Sequence, residues 1–214
     1  MLPKIPSSRN LAHEEKIVFE GLLSKLPQYQ KDHIDKKGTS FTIRTARVYD
    51  MEQVINLEYD MEIKDYGLSP SYSKIKTEIK TSLQNTNTVM LVAEQDSKIV
   101  AFIWGYDLTK NMFPVLVNYL ETRSQAHLSY LDQMVVGVDY RRQGIAGVLM
   151  DCYKEISKQN GVDELVLKTI SPTARKLYEE KKHYMSILDP VSNREVLEPG
   201  ANGIPYHFLH LKIK

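Results

Sequence analysis

The feature that most constrains this chain is a strand, a tight glycine-bearing turn, an amphipathic helix and a second strand in immediate succession between residues 131 and 169. Residues 131–138 are apolar and β-prone, 139–143 form a polar turn, and Ile145, Val148, Leu149, Cys152, Tyr153 and Ile156 then recur along one helical face. Asn160-Gly161 stops that helix, and residues 165–169 read as a strand again. Two strands joined by a single helix lie parallel in one sheet, through a right-handed crossover.

The other elements do not repeat this pattern. Residues 41–46 read as a strand, followed by Asp50 as helix N-cap and by Met51, Val54 and Ile55 inside the helix. Ser69-Pro70 opens another helix carrying Tyr72, Ile75, Ile79 and Leu83 at spacings of three and four. Residues 89–94 and 99–104 form a hairpin about Asp96-Ser97-Lys98. Residues 107–127 are too apolar for a solvated connection, with Met112, Phe113, Val115, Leu116, Val117, Tyr119 and Leu120. Ser171-Pro172 caps a short helix that turns Ala174, Leu177 and Tyr178 inward, and 184–188 and 206–213 are the last strand candidates. Hairpins with one parallel crossover predict an α/β (α+β) chain: a mixed, mostly antiparallel sheet of about seven strands flanked by helices.

Residues 1–40 read as a helical extension and linker ahead of a domain at 41–214. Val18, Phe19, Leu22, Leu23 and Leu26 form its apolar stripe, and the charged residues 30–38 follow. The stripe is expected to pack on the main domain or on a partner subunit, so a homodimer is one expectation.

Composition narrows the function classes. A chain of 214 residues, 42% hydrophobic and 26% charged, can bury a full core. It has no apolar run long enough to span a membrane, and Met1-Leu2-Pro3-Lys4-Ile5-Pro6 lacks the apolar stretch of a secretory leader, so the expected location is the cytoplasm. The lone Cys152 allows no internal disulfide, and no Cys or His pair has zinc-finger spacing, so no metal is expected. A formal net charge of +1 supplies no overall field toward nucleic acid or anionic lipid, and neither partner is expected.

The turn before the long helix has its own chemistry. A strand running through a glycine into a helix aims several unpaired backbone N–H groups, and the helix dipole, at one point, which suits a phosphate. In Arg141-Arg142-Gln143-Gly144-Ile145-Ala146 the small Gly144 and Ala146 allow close approach, and the two arginines add charge. The Walker pattern needs Lys-Ser/Thr after its last glycine, where this chain has Val148-Leu149 after Gly147. The dinucleotide pattern needs a third glycine that Gly144-Ile145-Ala146-Gly147 does not supply. Alone, the turn is equally a capped helix with two solvated arginines.

The segment Met134-Val135-Val136-Gly137-Val138-Asp139-Tyr140-Arg141-Arg142-Gln143-Gly144-Ile145-Ala146 resembles the signature of the GNAT acetyltransferases, with Arg141, Gly144 and Ala146 at its Q/R-x-x-G-x-G/A positions. Ile43-Arg44-Thr45-Ala46, Leu91-Val92-Ala93-Glu94 and Ala174-Arg175-Lys176-Leu177-Tyr178-Glu179 follow the order of that family. The resemblance implies an N-acetyltransferase that takes acetyl-CoA as co-substrate and uses neither a metal nor a covalent enzyme intermediate. It implies that Met134, Val135 and Val136 line the pantetheine, that Arg141, Arg142, Gln143, Gly144, Ile145 and Ala146 hold the pyrophosphate, and that Ser171 and Tyr178 complete the cofactor site. The resemblance also makes Tyr178 the acid for the departing thiolate, a phenol being protonated at neutral pH.

A base for the incoming amine is less determined. Strand alternation puts Asp132 on the face of Met134 and Val136, which makes it the candidate, with Tyr130 or a water chain as alternatives. Two departures stand out: Ser171 where the family has Asn, and Lys182-His183-Tyr184 where it has Gly-Phe. The acceptor is expected to be an amine of a small molecule or a protein. Glu58, Tyr59, Asp60, Glu62, Asp65 and Tyr66 are its candidate pocket, although such a charge run is equally a solvated helix face. A CoA-binding module without catalysis and an ordinary nucleotide-phosphate binder are the competing readings.

Overall fold

Apolar periodicity places the helices, and apolar runs buried on both faces place the central strands. The structure, a computed structural model, describes residues 11–67, 69–85, 87–200 and 204–213, so the first six residues, on which the leader argument rests, lie outside it. In chain order the elements are α1 (His13–Leu23), β1 (Gln30–Ile34), β2 (Ser40–Thr45), α2 (Met51–Tyr66), α3 (Tyr72–Ser82), β3 (Val89–Gln95), β4 (Lys98–Asp107), α4 (Val117–Glu121), β5 (Leu128–Val136), α5 (Ile145–Gln159), β6 (Glu164–Thr169), α6 (Pro172–Lys176), β7 (Met185–Ser186), β8 (Leu197–Glu198) and β9 (Tyr206–Lys212).

The sheet runs β1-β2-β3-β4-β5-β6-β9-β7, with β8 also on β9. Among the described residues only β5 and β6 pair in parallel, joined through α5 as the crossover requires. The described residues form nine strands, where about seven are expected. One addition is β1, which forms from the charged stretch read as linker. It pairs along its whole length with β2, Gln30 opposite Arg44 through Ile34 opposite Ser40. A largely exposed edge strand needs no apolar alternation: backbone pairing makes it, aided by His33 stacked on Phe41 and by Thr42 donating to Asp32. The strand expected over 184–188 shortens to two residues.

Two apolar clusters sandwich the sheet. On one face α1, α2, α3 and the 107–127 segment pack around Met51, Ile55, Ile75, Ile79, Phe102 and Phe208. On the other, α5 packs Leu149, Tyr153 and Ile156 over Leu91, Ile103 and Leu165. The α1 stripe goes to the first cluster through Phe19, Leu23 and Leu26, while Val18 stays exposed. Phe113, Leu116, Tyr119 and Leu120 fix the 107–127 segment to that face, and the Tyr119 hydroxyl donates to the buried Glu164 carboxylate at 2.5 Å.

A buried ion pair locks β2 to the start of α2. Arg44 donates to both Asp50 oxygens at 2.6 and 2.8 Å and to Glu94 at 2.7 Å. Asp50 occupies the expected N-cap position of α2, yet its carboxylate serves Arg44 and the Arg47 N–H instead of the helix. The next helix starts later than Ser69-Pro70 suggests, with Ser71 at its N-cap. Among the described residues, no helix is long and apolar enough to cross a membrane.

Candidate active site

The site begins where the parallel pair comes apart. On one side β5 pairs with β4 from Ser129 opposite Asp107 to Val136 opposite Ala101. On the other, pairing with β6 runs only from Leu128 opposite Glu164 to Leu131 opposite Leu167. β6 itself continues to Thr169, held by β9. From Asp132 onward the two strands diverge, and residues 132–136 turn the unmade side of their ladder into a gap inside the sheet. Backbone N–H and C=O groups inside a protein require partners, so such a gap suits an extended ligand with amides of its own.

A bulge marks the same place. Trp104 lies opposite Gln133 but Gly105 opposite Leu131, which leaves Asp132 as the extra residue of β5. The strands approach so closely here that a Cβ on Gly105 would sit 2.1 Å from the Tyr153 hydroxyl and 2.3 Å from the Tyr130 carbonyl oxygen. The extra residue also reverses the facing of everything before it. Met134 and Val136 pack in the α5-side cluster, whereas Val135, Tyr130 and the partners of Asp132 belong to the α2/α3 side. Asp132 therefore does not share a face with Met134 and Val136, contrary to simple alternation.

On the α2/α3 side, Asp132 Oδ2 accepts three hydrogen bonds: from the Tyr106 hydroxyl at 3.0 Å, Trp104 Nε1 at 3.2 Å and Ser82 Oγ at 3.3 Å. The carboxylate is thus held in one position at the mouth of the gap. Tyr130 is a poor alternative as base, because burial, followed by the nearby Asp132 charge, pushes its phenol well above its ordinary range. Glu58 lies beside these groups, buried under β5 with only 4% of its surface exposed. Gln133 Nε2 donates to its Oε1 at 3.4 Å, and Oε2 has no hydrogen-bond partner. Burial raises the Glu58 carboxyl to about 8, with the like charges of Glu62, Glu78 and Asp132 adding to the effect.

Past the strand, residues 138–140 make a single 3-10 turn, Arg142 takes a left-handed φ of 61°, and Gly144 follows at 94° as N-cap of α5. The second value is one that glycine adopts without strain. The N–H groups of Ile145, Ala146 and Gly147 have no intrahelical partner and converge at the helix start. The buried Ile145 contributes its backbone alone. The Gln143 side chain folds inward, its Nε2 donating to the Asp139 carbonyl at 2.9 Å. Arg141 braces the loop, donating from Nε to the Val136 carbonyl at 3.0 Å and gripping Asp65 through both oxygens at 2.9 and 2.6 Å. Arg142 is exposed.

One further cation enters from outside the region that carried the sequence argument. The Lys36 N–H donates to the Gln143 carbonyl at 3.0 Å, and its aliphatic stem lies 3.6 Å from where a Cβ of Gly144 would be. Nothing in the sequence signals this contact, which exists because the turn between β1 and β2 folds over the loop.

Beyond β6, Ser171 is the N-cap of α6, accepting from the Ala174 N–H at 3.3 Å, so its hydroxyl is engaged in the helix. α6 passes into a π-helical turn, Leu177–Lys181, that holds Tyr178 buried with its ring 5.7 Å from that of Tyr184. The wide turn accommodates the additional residue noted at Lys182-His183-Tyr184. His183, near the glycine position of the resemblance, takes a left-handed φ of 60°. Tyr178 belongs to the same apolar cluster as Met134 and Val136. The gap thus has Tyr178 on its α5 side, Asp132 and Glu58 on its α2/α3 side, and the phosphate-type loop at its end.

A profile of the Acetyltransferase (GNAT) family matches residues 51–184, well over half the chain. A comparison with curated proteins finds no match. Among solved structures, an N-acetyltransferase from Staphylococcus aureus Mu50 superposes with a TM-score of 0.61 at 16% identity, over 81% of this chain and 99% of that one. PaiA N-acetyltransferase from Thermoplasma acidophilum, in complex with coenzyme A, gives 0.55 at 15% identity over 81% and 99%. The Drosophila melanogaster polyamine N-acetyltransferase gives 0.57 at 14% over 80% and 99%. At these identities the structures establish the fold, and the family profile, lying across the bulge, the gap and the loop, establishes that this chain belongs to the GNAT acetyltransferase family.

Proposed function

We propose that the protein transfers the acetyl group of acetyl-CoA to a primary amine by direct attack. The observation that carries this reading is the parting of β5 from β6 at Asp132, on the strand that ends in the phosphate-type loop. Residues and co-substrate fit: the gap offers strand hydrogen bonding to the amides of pantetheine, and the loop offers convergent N–H groups to the pyrophosphate. Arg142 and Lys36 add mobile charge beside the loop, while Arg141, held by Asp65 and Val136, keeps its shape. Bound acetyl-CoA supplies the acyl group as a thioester.

The chain's own residues divide the proton work between the two sides of the sheet. Asp132 receives the proton of the attacking amine, and its three donors keep the carboxylate aimed. Tyr178 donates to the departing sulfur, fixed by burial against Tyr184. A backbone N–H among residues 132–136 polarises the carbonyl oxygen.

The test is a thermal-shift comparison of acetyl-CoA with ATP and NAD, followed by thiol release across an amine panel. Stabilisation by acetyl-CoA well above that by ATP or NAD, with amine-dependent thiol release, is the expected result. Equal stabilisation by ATP or NAD would sink the CoA assignment. Stabilisation without turnover on any amine would leave a CoA-binding module, a reading that draws some support from the occupied Ser171 hydroxyl.

A further inference from the structure

Three carboxylates meet beside the gap: Glu58 and Glu62, one turn apart on α2, and Glu78 on α3. One oxygen from each lies within 4.8 Å of the other two. Their burial is graded. Glu58 is fully buried, Glu62 half-buried and Glu78 exposed, so the group leads from solvent down to the sheet. The innermost carboxylate has an unpartnered oxygen, Glu58 Oε2, in a place that water does not reach. An acceptor oxygen left alone at that depth is costly unless a donor is meant to arrive.

We propose that Glu58, Glu62 and Glu78 form a subsite for a second cationic group of the acceptor, so that the preferred amines carry at least two positive charges, as alkyl diamines and polyamines do. The geometry suits an ammonium: three oxygens arranged about one nitrogen at about 2.8 Å each lie up to about 4.8 Å apart. An ammonium offers three N–H donors for three carboxylates. A calcium ion fits less well, because it takes six to eight oxygen ligands, and the next polar group against Glu58 is the Gln133 NH2, a donor.

The charged groups facing Glu58 are Glu62 on its own helix, Glu78 on α3 and Asp132 on β5. Lys74 offsets part of this, 3.5 Å from Glu78. The excess is negative, and the Glu58 carboxyl holds a proton to about 8. An arriving ammonium displaces that proton. Because Gln133 follows Asp132 in β5, a diamine seated at the subsite extends its other nitrogen toward the gap. The direction of transfer depends on the acetyl-CoA reading; the binding of the diamine does not.

The test uses the full chain without acetyl-CoA, titrated calorimetrically with 1,4-diaminobutane and with butylamine. The diamine is expected to bind at least tenfold more tightly, with heats at pH 7 that depend on the buffer because a proton is released. In the double variant Glu62→Gln/Glu78→Gln, both at accessible positions, the preference is expected to disappear while the thermal shift with acetyl-CoA persists. Equal affinity for the two amines, or a preference surviving in the double variant, would overturn the proposal. So would displacement of the diamine by micromolar Mg2+ or Mn2+, which would make the subsite a metal's. If acetyl-CoA produced no shift in the unaltered protein, the transfer reading would fall, and the diamine titration would still decide the subsite.

Discussion

Glu58→Gln isolates the buried carboxyl and should make the protein more stable at alkaline pH. In the folded chain the carboxyl titrates at about 8, against an ordinary value of 4.5, and burial is the main cause. Below pH 4.5 both folded and unfolded chains hold the proton, so the group costs nothing. Between 4.5 and 8 the unfolded chain releases it while the folded chain keeps it, and stability falls as pH rises. Above 8 both have released it and the loss is complete. At 1.36 kcal/mol per pH unit over that interval, the loss is on the order of 5 kcal/mol, comparable to the whole stability of many domains. Glu62, also raised chiefly by burial, and the neighbouring Glu78, Asp132 and Lys74 share the setting, so the variant and not the slope alone assigns the effect. Urea denaturation at pH 5, 7 and 9 should give nearly equal stabilities at pH 5 and a gap of several kcal/mol in favour of Glu58→Gln at pH 9. Parallel stability profiles for the two proteins would show that Glu58 is hydrated in solution, and the reasoning for the subsite would lose its buried anchor.

Tyr178→Phe keeps the ring that packs on Tyr184 and should lower kcat by about 10²-fold with the acetyl-CoA Kd unchanged; equal loss in both would make Tyr178 a packing residue. Gly105→Ala should destabilise by about 3 kcal/mol, since its Cβ meets backbone as well as the Tyr153 hydroxyl, and a neutral result in denaturant would remove the bulge at Asp132. His183→Gly should raise the melting temperature, relieving about 1 kcal/mol of left-handed strain, with no change in acetyl-CoA binding.

What the sequence made legible follows from what leaves a local pattern. The crossover through α5 was readable because its stripe of Leu149, Cys152, Tyr153 and Ile156 buries one face completely. The loop was readable because glycine has a backbone role there that no neighbour could fill. β1 left no such trace, since Gln30, Lys31, Asp32 and Ile34 are all exposed and main-chain pairing with β2 does most to make the strand. The facing of Asp132 was misread for a different reason. One inserted residue inverts alternation, and the insertion is defined by the partner strand, where Gly105 permits it. Glu58 looked like part of a solvated charge run because α2 carries acidic residues all around; its burial depends on β5 and α3 closing over it. Lys36 reached the loop solely through a hairpin that the sequence had hidden.

The central claim is that the gap between β5 and β6, together with the loop at its end, receives CoA. Backbone amide hydrogen exchange with and without CoA reads this directly. Residues 132–136 and 144–147 should exchange markedly more slowly with CoA bound, while the fully paired β3 stays unchanged. Saturating CoA that left those two stretches unprotected and slowed exchange elsewhere would contradict the account.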